Sequence, residues 1–180
     1  IALWDALGKV TGQPISVLLG GRIRSQIPVY NTCAGNQYVR GTKLGTTENF
    51  GISSSGTDQN YEDLDRFLND PVGLAGSLLD MGIDSMKIWP FDFAAEATQG
   101  QFISPAELNK ALAPFEAIKK EYGDRMQISA ELHGMWNLSE SLIICQALDE
   151  IGMRWIEDPV FLTNPTGIQE LKRTVRSRIA

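Results

Sequence analysis

Apolar and polar positions change their spacing repeatedly along the chain, and each change marks an element. "LWDALGKVTGQPISVLLGG" predicts a helix, a turn and a short second helix that stops at Gly20 and Gly21, since glycine is the usual residue just past a helix end. Ile27, Val29 and Tyr30 predict a short strand, because branched and aromatic side chains suit a pleated surface. Residues 32–60 show neither period and are rich in Gly, Ser, Thr and Asn. A loop that long inside a compact domain is usually functional or disordered.

The pattern then becomes regular. "NYEDLDRFLNDPVGLAGSLLDMG" reads as helical with a break at Pro71, and "IDSMKIWPF" as a strand halted by Pro90. "SPAELNKALAPFEAIKKEYG" carries a full helix signature. Ser104 caps it, Pro105 takes the first helical position, and Glu107 completes a capping box. Leu108, Leu112, Phe115 and Ile118 form its apolar stripe, and Gly123 stops it. "MQISAEL" is the next strand. Asn137 with Glu140 opens a helix that turns Leu148 and Ile151 inward and ends at Gly152. "MRWIEDPV" is a strand stopped by Pro159, and "TGIQELKRTV" begins a helix with Thr166 and Gln169 as a capping box. The closing "LKRTVRSRIA" reads as helical throughout.

Strand and helix thus alternate with a period of roughly 30 residues, the length of a βαβ unit. A parallel sheet covered by helices follows. It closes either as an open doubly wound sheet or as part of an eight-stranded barrel. No glycine-rich phosphate loop follows any strand, so the doubly wound reading lacks its signature. A barrel needs roughly 250 residues, and four βα units are about half of one. The chain of 180 residues opens without Met, in what reads as mid-helix, so an incomplete barrel is expected.

Composition narrows the function. The formal net charge of −6 argues against a nucleic-acid or membrane-surface partner, either of which needs a basic patch. No apolar run approaches the ~20 residues of a membrane span. The two cysteines, Cys33 and Cys145, read as reduced thiols, which fits a cytoplasmic protein.

In parallel α/β folds the site lies beyond the carboxyl ends of the strands. Asn31 stands there on the first strand, Lys87 and Trp89 on the second, Glu131 and His133 on the third, Glu157 and Asp158 on the fourth. Alternation puts Lys87 with Trp89, and Glu131 with His133. Glu131 and Glu157 are one βαβ repeat apart, which places them on neighbouring strands at similar height. Two hard oxygen donors there suit Mg²⁺; the bland alternative is that each Glu is a solvated rim residue or pairs with an Arg. His133, the only histidine, is then a proton-transfer candidate. Lys87 reads as a rim lysine holding a carboxylate, or as a group binding a substrate carboxylate. Trp89 reads as a pocket wall, and Asp158 as a group orienting a neighbour.

"IALWDALGKVTGQPISVLLGG", "MKIWPFD", "ISAELHGMWN" and "RWIEDPV" together resemble the mandelate racemase and muconate lactonizing branch of the enolase superfamily. The resemblance implies an α/β fold: the N-terminal half of a modified TIM-type (β/α)₇β barrel. Residues 1–24 would be linker helices from an α+β capping domain, and 25–180 the first four βα units. It also implies Mg²⁺-assisted removal of a proton α to a carboxylate, giving an enediolate. Glu131 and Glu157 would be the first two metal ligands, with the third ligand and the usual base on later strands. The branch commonly carries Asp where this chain has Glu131, and Lys where it has Trp89. Its acid-sugar dehydratases carry a carboxylate-x-His pair like Glu131 and His133, whose histidine protonates the departing hydroxyl. The resemblance therefore implies a dehydratase, with racemase, epimerase and cycloisomerase chemistry as alternatives and an inactive isolated chain as a third. Lys87, Trp89 and Asn31 would contact a small-molecule sugar acid. The whole protein is expected to be a homo-oligomer.

Overall fold

The computed structural model describes residues 1–34, 62–161, 163 and 165–180. Most of the expected loop at 32–60 lies outside them. Two short helices open the chain, α1 (Ala2–Thr11) and α2 (Ile15–Leu18). Then follow α3 (Asp63–Asn69), α4 (Pro71–Asp80), β1 (Ser85–Ile88), α5 (Asp92–Thr98), α6 (Pro105–Tyr122), β2 (Gln127–Glu131), α7 (Leu138–Ile151), β3 (Trp155–Glu157), α8 (Pro165–Thr174) and β4 (Arg178–Ile179).

The break between α3 and α4 falls at Pro71, as the sequence predicts. Asp70 caps α4 by accepting from the Gly73 amide. The capping box of α6 forms in full: Glu107 N donates to Ser104 Oγ, and Ser104 N donates to Glu107 Oε2. Asn137 accepts from the Glu140 amide and starts α7.

Among the described residues the four strands are all parallel, in the order β1-β2-β3-β4. The order never reverses, so the sheet has no switch point of the doubly wound kind. Register sorts the side chains by face. Met86, Ile88, Ile128, Ala130 and Ile156 share one face and are all buried in the apolar core. Ser85, Lys87, Ser129, Glu131 and Glu157 share the other. Helices therefore pack on a hydrocarbon face, and the opposite face carries the polar chemistry.

Three expectations need correction. Ile27–Tyr30 form no strand; only Asn31 bridges to Met86, through Asn31 N to Ser85 O (2.9 Å) and Lys87 N to Asn31 O (2.8 Å). Ile27 and Val29 are exposed, so no packing among the described residues holds them in a longer ladder. The C-terminal residues are not helical throughout: α8 ends at Thr174, and Arg178–Ile179 pair with Trp155–Ile156. Asp149 accepts from the Arg176 and Ser177 amides, which diverts them from a helical ladder. Helix α8 begins at Pro165, so Thr166 lies inside the first turn rather than capping it. One helix was not foreseen, α5, a short alanine-rich segment directly after the Pro90 stop.

Candidate active site

Three strand ends build the site. Glu131 and Glu157 are Cα partners across β2 and β3. Both reach Lys87 on β1: its Nζ lies 2.8 Å from Glu131 Oε2 and 2.8 Å from Glu157 Oε1. The remaining carboxylate oxygens also have donors. Glu131 Oε1 accepts from the His133 amide (3.1 Å), and Glu157 Oε2 accepts from Trp155 Nε1 (2.9 Å). Tyr30 sets its ring 5.7 Å from the Lys87 ammonium and edge-on to Trp155.

The trio carries two negative charges and one positive, with Lys87 6% and Glu131 4% exposed. Burial pushes Lys87 down, but its hydrogen bonds to Glu131 and Glu157 outweigh this and keep it above its ordinary value. Burial raises Glu131, and Lys87 and His133 only partly oppose it. Burial also raises Glu157, which opens more to solvent, but the bonds from Lys87 and Trp155 outweigh it and hold that carboxyl low.

The chain turns sharply after Asn31 and where β2 and β3 stop. Cys33, His133 and Asp158 have positive φ of 54°, 50° and 43°, a conformation costing roughly 1–3 kcal/mol for a residue with a side chain. Cross-strand bonds hold two of these turns together: Leu132 N donates to Glu157 O (3.0 Å) and Gly134 N to Asp158 O (2.7 Å). The turn at His133 lets its amide reach back to the Glu131 carboxylate. Its ring leaves the sheet and meets Asp92, with Nδ1 2.9 Å from Oδ2. Trp89, 3% exposed, stands edge-on to the His133 ring at 5.7 Å and to Phe67 at 5.4 Å. Burial pushes His133 down, but the hydrogen bond and charge of Asp92, with Glu131 beyond, hold it above its usual value. Burial raises Asp92 more than His133 lowers it.

The structure thus brings Lys87, Glu131 and Glu157 into direct contact, with His133 and Trp89 beside them. The bland reading of Lys87, a lysine holding a carboxylate, describes its contacts. Asn31 is tied elsewhere: its amide donates to Asp63 on α3 (2.8 Å), and its side-chain oxygen accepts from the Cys33 amide (2.8 Å). Asp158 contributes backbone groups to the turn. Sequence reasoning misses Asp92. The available signal is an aspartate directly after the "WPF" strand stop, heading "DFAAEA"; an acid at a helix start passes for an ordinary first-turn residue.

The donors fit Mg²⁺ in part. That ion takes one or two carboxylates and keeps several waters, and Glu131 and Glu157 already converge on one cation. Among the described residues, no group of three or more His, Cys, Asp and Glu is placed to hold a metal.

Known proteins share this arrangement of elements. A crystal structure of an enolase of the mandelate racemase subgroup from Agrobacterium tumefaciens is 38% identical, with a TM-score of 0.76, over 99% of this chain and 39% of that one. An enolase from Sargasso Sea environmental sequencing is 33% identical, also at 0.76, over 99% of this chain and 40% of that one. A D-gluconate/D-galactonate dehydratase from Picrophilus torridus is 25% identical over 100% of this chain and 38% of its own length. The chain therefore spans roughly two fifths of the relatives it matches. The family described as "Enolase C-terminal domain-like" matches residues 72–180. On that match and these neighbours, the chain belongs to the enolase superfamily, resembles its acid-sugar dehydratases, and forms part of a TIM-barrel-type domain.

Proposed function

We propose that this chain is the N-terminal half of the barrel of a Mg²⁺-dependent lyase that removes water from a hydroxylated sugar acid. The observation that carries the reading is the pairing of Glu131 with Glu157 in register, with His133 two residues past Glu131 and outside the ion-pair trio. Relatives named as dehydratases support the substrate class.

Glu131 and Glu157 would hold the ion, with further ligands from water and from residues outside this chain. When bound, Mg²⁺ supplies Lewis-acid stabilisation of the charge that develops on the substrate carboxylate, worth several kcal/mol. Lys87 balances the two carboxylates and offers a donor to the substrate's own carboxylate. A base outside this chain takes the α proton. The electron pair of that C–H bond forms the new C=C bond, and the β C–O bond breaks. His133 gives its proton to the departing hydroxyl, which leaves as water. A positioned acid of this kind contributes roughly 10²–10⁴-fold. Trp89 walls the pocket behind the His133 ring and keeps water from it.

Residues 1–24 would link to a capping domain. Leu3, Trp4, Leu7 and Val10 on α1 are exposed, which supports a packing surface for a partner domain rather than a solvated helix. Alone, the chain would lack a complete metal shell and the base, and would be inactive.

A racemase, epimerase or cycloisomerase of the same branch is the second reading, since a muconate cycloisomerase from Pseudomonas putida is also 25% identical over 92% of this chain. Trp89, where a second lysine would stand, disfavours a two-base racemase. His133→Asn in the whole protein separates the readings. Dehydration should fall by at least about 100-fold, while exchange of the α proton with D₂O is partly kept. Unchanged dehydration would overturn the assignment.

A further inference from the structure

Among the described residues, Asp92 is the most deeply buried acid that the proposed chemistry leaves unused. Its residue is 0% exposed. Among the described residues its Oδ1 has no hydrogen-bond partner, while Oδ2 meets His133 Nδ1 at 2.9 Å. A buried carboxyl is costly unless it is paired. Here its one polar side-chain contact is an imidazole that stands at the strand ends.

Among the described residues, the backbone of His133 and the ring of Trp89 also constrain the imidazole. Glu131 Oε1 takes the His133 amide and fixes the turn, the positive φ aims the side chain off the sheet, and Trp89 meets the ring edge-on. None of these selects which ring nitrogen carries the proton. A carboxylate oxygen is an acceptor only, so it selects Nδ1–H. Packing alone does not call for this: an apolar residue at position 92 would fill the space without the desolvation cost.

We propose that Asp92 is the positioning residue of His133: it holds the imidazole through Nδ1, keeps a proton there, and reserves Nε2 for the proton exchanged with substrate. The proposal rests on the reading of His133 as the proton-transfer group. During elimination, the doubly protonated ring gives the Nε2 proton to the departing hydroxyl and becomes neutral with its hydrogen on Nδ1. Asp92 gains and loses nothing. Its role is the choice of tautomer and the aim of the ring.

Two readouts test this in the whole protein. The first is ¹⁵N NMR of histidine-labelled protein, with His133 assigned by its loss in His133→Gln. The neutral ring should carry its hydrogen on Nδ1 in the native protein and shift toward the Nε2–H form in Asp92→Asn. The second is kinetics: Asp92→Asn should lower kcat by roughly 10²-fold or more, with KM changed less than about threefold and Mg²⁺ binding retained. Asp92→Glu, which keeps the acceptor, should recover part of kcat. A native ring with its hydrogen on Nε2 would overturn the proposal even if every variant failed to fold. So would an Asp92→Asn enzyme with native tautomer and native kcat. If no dehydration is found in any form, the functional reading fails separately, and the native tautomer still decides the role of Asp92.

Discussion

Glu131 lies directly opposite Glu157 in the register of β2 and β3, and the two carboxylates share one ammonium, Lys87, at 2.8 Å each. Like charges on neighbouring strands repel, and the fold tolerates them because a cation stands between. The same geometry makes a cation-binding mouth, so structure and proposed chemistry meet at this pair.

Removal of that cation should be costly. Breaking a buried ion pair by deleting one partner costs about 3–5 kcal/mol. Glu157 is partly open to water, so Lys87→Met should fall near the lower end, about 3 kcal/mol. Urea unfolding measures it. The double variant Lys87→Met with Glu131→Gln should recover part of the loss, because one of the two unpaired charges is gone.

Mg²⁺ binding should depend on both carboxylates. Calorimetric titration of the whole protein should show one-site binding that weakens by at least about tenfold in Glu131→Gln and in Glu157→Gln. Loss of a carboxylate from a two-carboxylate site removes half its charge, and Mg²⁺ gives up its waters reluctantly. Native affinity in both variants would rule these residues out as ligands.

The turn after α5 is closed tightly on the turn after β2. Asn137 N donates to Gly100 O (3.0 Å), and a Cβ on Gly100 would collide with Met135 O. Gly100 also has φ of +69°. Gly100→Ala should therefore cost at least about 2 kcal/mol and disturb the loop that carries His133. Thermal unfolding and the histidine NMR signal both report it.

Asp149 fastens the end of α7 to the turn before β4, with Ser177 N and Oγ each 2.7 Å from Oδ1. Burial pushes its carboxyl up, but the bonds from Ser177 and Arg176 outweigh this and hold it below the ordinary range. A depressed folded value means stability present above the unfolded value of ~3.9 and lost as pH falls through the folded one. Asp149→Asn should cost about 1–2 kcal/mol near pH 7, and the difference from the native protein should shrink below pH ~4. A constant difference down to pH 2 would contradict the linkage.

Much of this was legible in the sequence for physical reasons. The caps at Ser104 and Asn137 are local bonds between residues three apart, so residue type alone predicts them. The register of Glu131 and Glu157 follows from one βαβ repeat. What failed depended on distant groups. Asn31 pairs with β1 for a single residue because Ile27 and Val29, strand formers by type, stay exposed. Residues 176–179 leave the helix because Asp149, 27 positions earlier, takes the Arg176 amide. Asp92 joins His133 across 41 positions, and no period in the sequence encodes that contact.

The most direct test of the central claim is the mass of the product when the whole protein, with Mg²⁺, is offered a panel of sugar acids. The account predicts a product lighter than its substrate by one water, lost on chelation of the metal and in His133→Asn. A product of unchanged mass would make the protein an isomerising member of its superfamily and would contradict the role given to His133.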